Sequence, residues 1–105
     1  MKICFFFPYK ILSGVPVLFS NAANYITNNY TYIDVSIIDY PNGIIWQLAK
    51  SPRIKKIPFY DGRPITPDSE SILVMQAILP FAIRPELKLS KNQKIFFWHL
   101  HPDNL

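Results

Sequence analysis

The chain opens on a short apolar run. Lys2 is followed by Ile-Cys-Phe-Phe-Phe7, and Pro8 stops the run. The run is continuous rather than alternating, which predicts a strand covered on both faces, as in a parallel sheet. Pro8 to Leu12 reads as loop. Val15, Leu18, Phe19, Ala22 and Ile26 then recur at helical spacing, so Val15 to Asn29 reads as an amphipathic helix. Ser13 stands at the N-cap position, and Pro16 falls in the first turn, where a missing N–H costs nothing. Strand, glycine-containing loop and helix together make the first half of a βαβ unit.

The remaining segments extend this start. Tyr32 to Asp39 is β-branched and apolar and reads as a second strand, closed by the turn Asp39-Tyr-Pro-Asn-Gly43. Gly43 to Lys50 reads as a short helix that Ser51-Pro52 stops. Ile54 to Phe59 is a third strand, Asp61 to Pro64 a turn, and Ile65 to Ser69 a loop. Ser71 to Met75 is a fourth strand. Gln76 to Leu89 has helical spacing at Ala77, Ile78, Phe81 and Ala82, but Pro80 and Pro85 break it. It reads as a loop with one or two helical turns. Ser90 to Gln93 leads into a fifth strand, Lys94 to Trp98, and His99 to Leu105 follows. Spacings of ~20–30 residues with helical material between strands favour crossover connections. The expected fold is α/β: a three-layer, Rossmann-like domain with a mainly parallel sheet.

Composition narrows the class. A length of 105 residues fits one domain, 1–105. Half the residues are hydrophobic and only 17% are charged, which excludes a disordered chain. The net charge of +4 comes largely from Lys50, Arg53, Lys55 and Lys56, and from Lys88, Lys91 and Lys94. Two solvated loops account for these clusters; an anionic substrate or a membrane surface is the sharper reading. Nucleic acid is disfavoured, since no recognition motif accompanies the charge. The single cysteine, Cys4, reads as a buried, inert thiol in a reducing, cytoplasmic compartment. Pro8 and Lys10 make the first apolar run too short for a signal peptide, and no run reaches the ~20 residues of a membrane span.

Candidate chemistry is sparse. Ser13-Gly14 is either a plain helix-start turn or a phosphate-facing loop, with free backbone N–H groups at the positive end of a helix. No G-x-G-x-x-G follows, so an NAD site is not expected. His99 and His101 would share one face of an extended segment. They are either one packed and one surface histidine, or cleft residues at the carboxyl end of a strand, where open α/β sheets bind ligands. Only Asp103 stands near as a third ligand, so no metal is expected. Arg84 and Glu86 read as a surface ion pair that could reach a substrate. Trp46 and Trp98 read as core, and Tyr9 as a stacking candidate. No acidic pair has the spacing of general acid–base work, and no nucleophile elbow is present.

The start Met-Lys-Ile-Cys-Phe-Phe-Phe-Pro-Tyr, then Ser13-Gly14-Val15-Pro16 and an Ala-containing helix, resembles the N-terminus of GT-B glycosyltransferases. It is most similar to the large group-one retaining family. Lys94-Ile-Phe-Phe-Trp-His-Leu-His-Pro-Asp103 is similar to the family strand that ends in histidine near the cleft. The resemblance implies the N-terminal, acceptor-side half of a two-lobed enzyme that moves a sugar from a nucleotide-sugar to a glycan or lipid-linked acceptor. Polysaccharide assembly is the implied setting, with peripheral membrane contact as an option. The nucleotide-sugar is the donor substrate, no cofactor is implied, and the C-terminal GT-B domain is missing. The chain's end just after a strand fits a piece of a longer protein, inactive alone. Carried over by position, Gly14 approaches the donor diphosphate with Ser13 beside it, and His99 and His101 together cover the catalytic strand-end histidine. Many relatives have two glycines where this chain has Ser13-Gly14, and Pro16 removes one N–H donor. The alternative is a non-catalytic α/β nucleotide-binding or interaction domain. A receiver-like version is disfavoured, because Phe6-Phe7-Pro8-Tyr9 stands where an acidic pair belongs.

Overall fold

The computed structural model describes residues 1–8, 14–76 and 84–98. The elements are β1 (Lys2–Phe6), α1 (Gly14–Asn29), β2 (Asp34–Asp39), α2 (Ile44–Leu48), β3 (Lys55–Pro58), β4 (Ser71–Gln76) and β5 (Lys94–Trp98). The five strands form one sheet in the order β3-β2-β1-β4-β5. Every neighbouring pair is parallel. The fold is therefore α/β and Rossmann-like, and its strand order is that of the doubly wound class. The order reverses between β1 and β4, so the topological switch point lies between their carboxyl ends.

The sheet's two faces carry different cover. On one face Phe5, Phe7, Val35, Ile37 and Val74 pack against Phe19 and Ala23 of α1, Ile45 of α2 and Ala49 just after it. On the other, Cys4, Phe6, Ile38, Leu73 and Met75 pack against Phe59, Ile65 and Leu87. Among the described residues this third layer is extended chain rather than helix. It is tied together by a bridge between Ile65 and Leu87. The continuous apolar runs of β1 and β4 follow from this arrangement, because a strand between two layers has no solvent face. Phe5, Phe6, Phe19 and Phe59 are fully buried, each worth ~1.5–3 kcal/mol of transfer free energy.

The outer strands differ from the inner three. β3 carries exposed Lys55, Lys56 and Pro58, residues that discourage further pairing along an edge. β5 instead exposes Phe96 and Phe97.

Two polar side chains fix the helices. α1 ends at Asn29, and the Arg53 guanidinium donates to the backbone oxygen of Thr27 in its last turn and to those of Tyr30, Thr31 and Ile33 beyond it. Arg53 therefore satisfies one of the carbonyls that a helix end leaves without partners, that of Thr27, and ties the following loop to it. Arg53 is exposed, as a solvated loop implies, and its guanidinium also forms this clamp. Asn24, in α1, donates to Leu48 O at 3.0 Å and accepts from Lys50 N at 2.9 Å. It pins the end of α2 to the middle of α1.

Element boundaries shift by a residue or two from those expected. β2 starts at Asp34 rather than Tyr32, because Tyr32 lies outside the ladder and is 69% exposed. α2 is confined to Ile44–Leu48.

Candidate functional site: the carboxyl edge of the sheet

The parallel register sets the carboxyl ends of all strands along one edge. Phe6 pairs with Ile38 and Met75, Asp39 with Pro58, and Gln76 with Trp98. β1 runs toward this edge and Gly14 opens α1, so the helix begins there. Phe19, in the second turn of α1, touches Phe5 and Phe7 with ring centroids 5.4 and 6.0 Å away. It also stacks on Trp98 at 5.7 Å with an interplanar angle of 24°. One ring thus links the end of β1, the start of α1 and the end of β5. Gln76 ends β4 at the switch point and is buried.

Of the expected site residues, Gly14 is the first residue of α1. Ser13, His99 and His101 lie outside the described residues, as does Tyr9. His99 is next in sequence to Trp98. Trp46 and Trp98 are partly buried and pack against the helix-side core, as expected.

At the same edge, on the other face, a polar cluster joins three connections. Arg84 Nη2 donates to the Tyr40 hydroxyl at 2.7 Å, and that hydroxyl donates to Asp61 Oδ1 at 2.6 Å. Arg84 also pairs with Asp61 at 3.5 Å and approaches Glu86 at 4.0 Å. Its guanidinium lies 4.9 Å from the centre of the Phe59 ring. Glu86 accepts from Gly62 N at 2.9 Å, and that bond is the main reason its carboxyl titrates below the usual range. Burial and the Asp61 carboxylate push the Tyr40 hydroxyl upward. Arg84 and Glu86 are thus more than an isolated surface pair. They staple the β2–α2, β3–β4 and β4–β5 connections, and Tyr40 and Asp61, which no sequence pattern singled out, complete the staple.

Asp39, at the end of β2, is fully buried. Its carboxylate accepts from Tyr40 N at 2.7 Å and Ile45 N at 3.2 Å, fixing the turn into α2. The turn needs Asn42 in the left-handed region, at φ 63°. It also needs Gly43 to be a glycine, because a Cβ there would run into the Asp39 carboxylate. This acid therefore holds backbone. Cys4 is buried, and desolvation pushes its thiol up to about 11. Such a thiol stays protonated and unreactive at neutral pH.

The opposite, amino edge holds a cavity of about 300 Å³ lined by Lys2, Asp34, Ser36, Arg53, Lys55, Asp68 and Ser71 among others. Lys2 pairs there with Asp68 at 2.9 Å and Glu70 at 3.4 Å. Among the described residues no group of three His, Cys, Asp or Glu side chains is placed to hold a metal ion. None of the helices there is long and apolar enough to cross a membrane. Comparison with models of known protein families, with curated proteins and with solved structures returned no match to this chain.

Proposed function

We propose that this chain is the acceptor-side half of a GT-B-type glycosyltransferase, and that its carboxyl edge forms one wall of the sugar-transfer crevice. The observation that supports the reading is the meeting of α1's first turns with the end of β5 through Phe19 and Trp98. It brings the helix that Gly14 opens to the same edge as the strand that leads into His99 and His101. Backbone N–H groups at the start of α1 would face the donor diphosphate, and the helix dipole would favour its charge. One of the two histidines would stand beside the transferring sugar. The chain's share of catalysis would be positioning and electrostatic stabilisation of the leaving diphosphate. A second lobe would supply most of the grip on the nucleotide.

The test uses the full-length protein with a panel of nucleotide-sugars, read by thermal shift and by sugar release. Gly14→Val is expected to abolish donor turnover while the fold persists. His99→Ala and His101→Ala are expected to differ, one of them losing turnover. No stabilisation by any nucleotide-sugar, or full turnover in all three variants, overturns the reading.

The second reading, a non-catalytic α/β nucleotide-binding or interaction domain, draws on one feature. Asp39, Tyr40, Asp61, Arg84 and Glu86, five of the polar side chains at the described carboxyl edge, all hold neighbouring backbone or side chains. A domain that binds nucleotide without turning over sugar would meet the thermal-shift test and fail the release assay.

A further inference from the structure

We infer that the amino edge of the sheet is a docking surface for an anionic lipid membrane. Three observations converge on that edge. The first is charge. Arg53, Lys55, Lys91 and Lys94 stand at or just before the amino ends of β3 and β5 and are exposed. The acids at the same edge are Asp34, Asp68 and Glu70, and Lys2 holds two of them. The excess of cations gives this edge a positive field.

The second observation is an exposed aromatic ladder. Tyr25, Tyr30 and Tyr32 lie at and beyond the end of α1, which runs toward the amino edge. Tyr25 meets Tyr30 at 6.3 Å and Tyr30 meets Tyr32 at 5.9 Å, both edge to face. Tyr25 is 60% exposed and Tyr32 69%. Arg53 donates to the backbone oxygens of Tyr30 and Thr31, so a cation adjoins the ladder. Tyrosine, with an apolar body and a polar tip, suits the headgroup level of a bilayer.

The third is the cavity of about 300 Å³, whose lining sets Lys2, Arg53 and Lys55 against the carboxylates of Asp34 and Asp68, a net excess of one cation. It has room for a phosphate-bearing headgroup. Lipid fits these features better than nucleic acid does. Successive bases stack on a series of near-parallel ring faces, whereas these rings meet at steep interplanar angles of 65° and 77°.

The test is sedimentation of the full chain with vesicles of phosphatidylcholine containing phosphatidylglycerol, beside pure phosphatidylcholine vesicles and a single-stranded oligonucleotide. Binding to the anionic vesicles alone, reduced at least tenfold by 0.5 M salt, is expected. Lys55→Glu/Lys91→Glu is expected to abolish it, and Tyr25→Ser/Tyr32→Ser to weaken it severalfold. Both pairs are exposed, and circular dichroism checks that each variant folds. No pelleting with anionic vesicles overturns the inference, as does tighter binding to the oligonucleotide or pelleting that survives the lysine reversal.

Discussion

Phe19 and Trp98 stack with their ring centroids 5.7 Å apart, although one lies in the first helix and the other ends the last strand. The contact crosses β1 and β4, the two strands that flank the switch point. It packs α1 over the sheet where the strand order reverses, which is where doubly wound folds bind ligands. Trp98→Ala should remove this stack and open the end of β5. The expected loss is ~1–3 kcal/mol, below that of a fully buried tryptophan because Trp98 is half-buried, read from the midpoint of urea unfolding. Trp98→Phe should recover most of it. An Ala variant as stable as the parent would show that the stack does not hold the edge.

The corner at Asp39 and Gly43 makes a sharper stability prediction. Gly43→Ala forces a methyl group against a buried carboxylate, with an expected cost of ~1–3 kcal/mol. Asp39→Ala removes the acceptor for Tyr40 N and Ile45 N and should cost a similar amount. The double variant has lost the clash, so the two effects should fall short of additivity. Simple additivity in a double-mutant cycle would contradict the described contact.

Arg53 is expected to matter more than its exposed position indicates. Arg53→Ala strips the donor from four backbone oxygens near the end of α1. A destabilisation of ~1–3 kcal/mol follows. Arg53→Lys should rescue only part, since a single ammonium cannot reach the same fan of acceptors. Lys56→Ala, on the neighbouring exposed position, should be near neutral. Equal effects at the two positions would remove the clamp from the account.

Cys4 supplies a pH-dependent test. Its thiol is raised from 9.0 to about 11 in the folded protein. The folded state therefore keeps a proton that the unfolded chain releases first. This contribution is complete below pH 9 and is lost as the pH rises through about 11. The parent should lose stability faster than Cys4→Ala across that window. At pH 8 a disulfide reagent should leave the native thiol untouched and modify it only after unfolding. Rapid native modification would contradict its burial.

Glu86 should act in the opposite direction. Its carboxyl titrates below the usual 4.5, chiefly through the Gly62 N–H bond. Its contribution is present above that value and is lost as acid protonates it. Glu86→Gln should therefore flatten the acid limb of the stability profile below pH 4.5. An unchanged acid limb would show that the bond contributes nothing.

Much of the fold was legible because burial on both faces leaves a plain mark. The unbroken run from Ile3 to Phe7 marked a strand covered on both faces, Tyr32 to Asp39 and Ser71 to Met75 were legible as strands, and β5 from Lys94 to Trp98 was read with its observed bounds. The edge strand β3 was legible in outline, trimmed to Lys55–Pro58. The polar architecture was harder to read. Arg53 and Thr27 are far apart in sequence, and no local pattern says that a surface arginine will turn back onto a helix end. The same holds for Tyr40, Asp61 and Arg84, which meet only because three crossovers return to one edge. Asp39 and Gly43 were recognisable as a turn, but the close approach that excludes a Cβ is a property of the folded corner. The candidate site was legible as a place, the edge that α1 and β5 share. Its proposed side chains, Ser13, His99 and His101, lie outside the described residues.

The central claim is that the carboxyl edge between α1 and β5 is the ligand-binding wall. Its most direct test is an amide NMR titration of the chain with a nucleotide-sugar panel at millimolar concentration. The account predicts saturable shifts at Gly14, Val15, Gln76 and the Trp98 indole, with the amides of Lys2, Asp34 and Lys55 unmoved. No shift at the carboxyl edge with any member of the panel, or shifts confined to the amino edge, would contradict it.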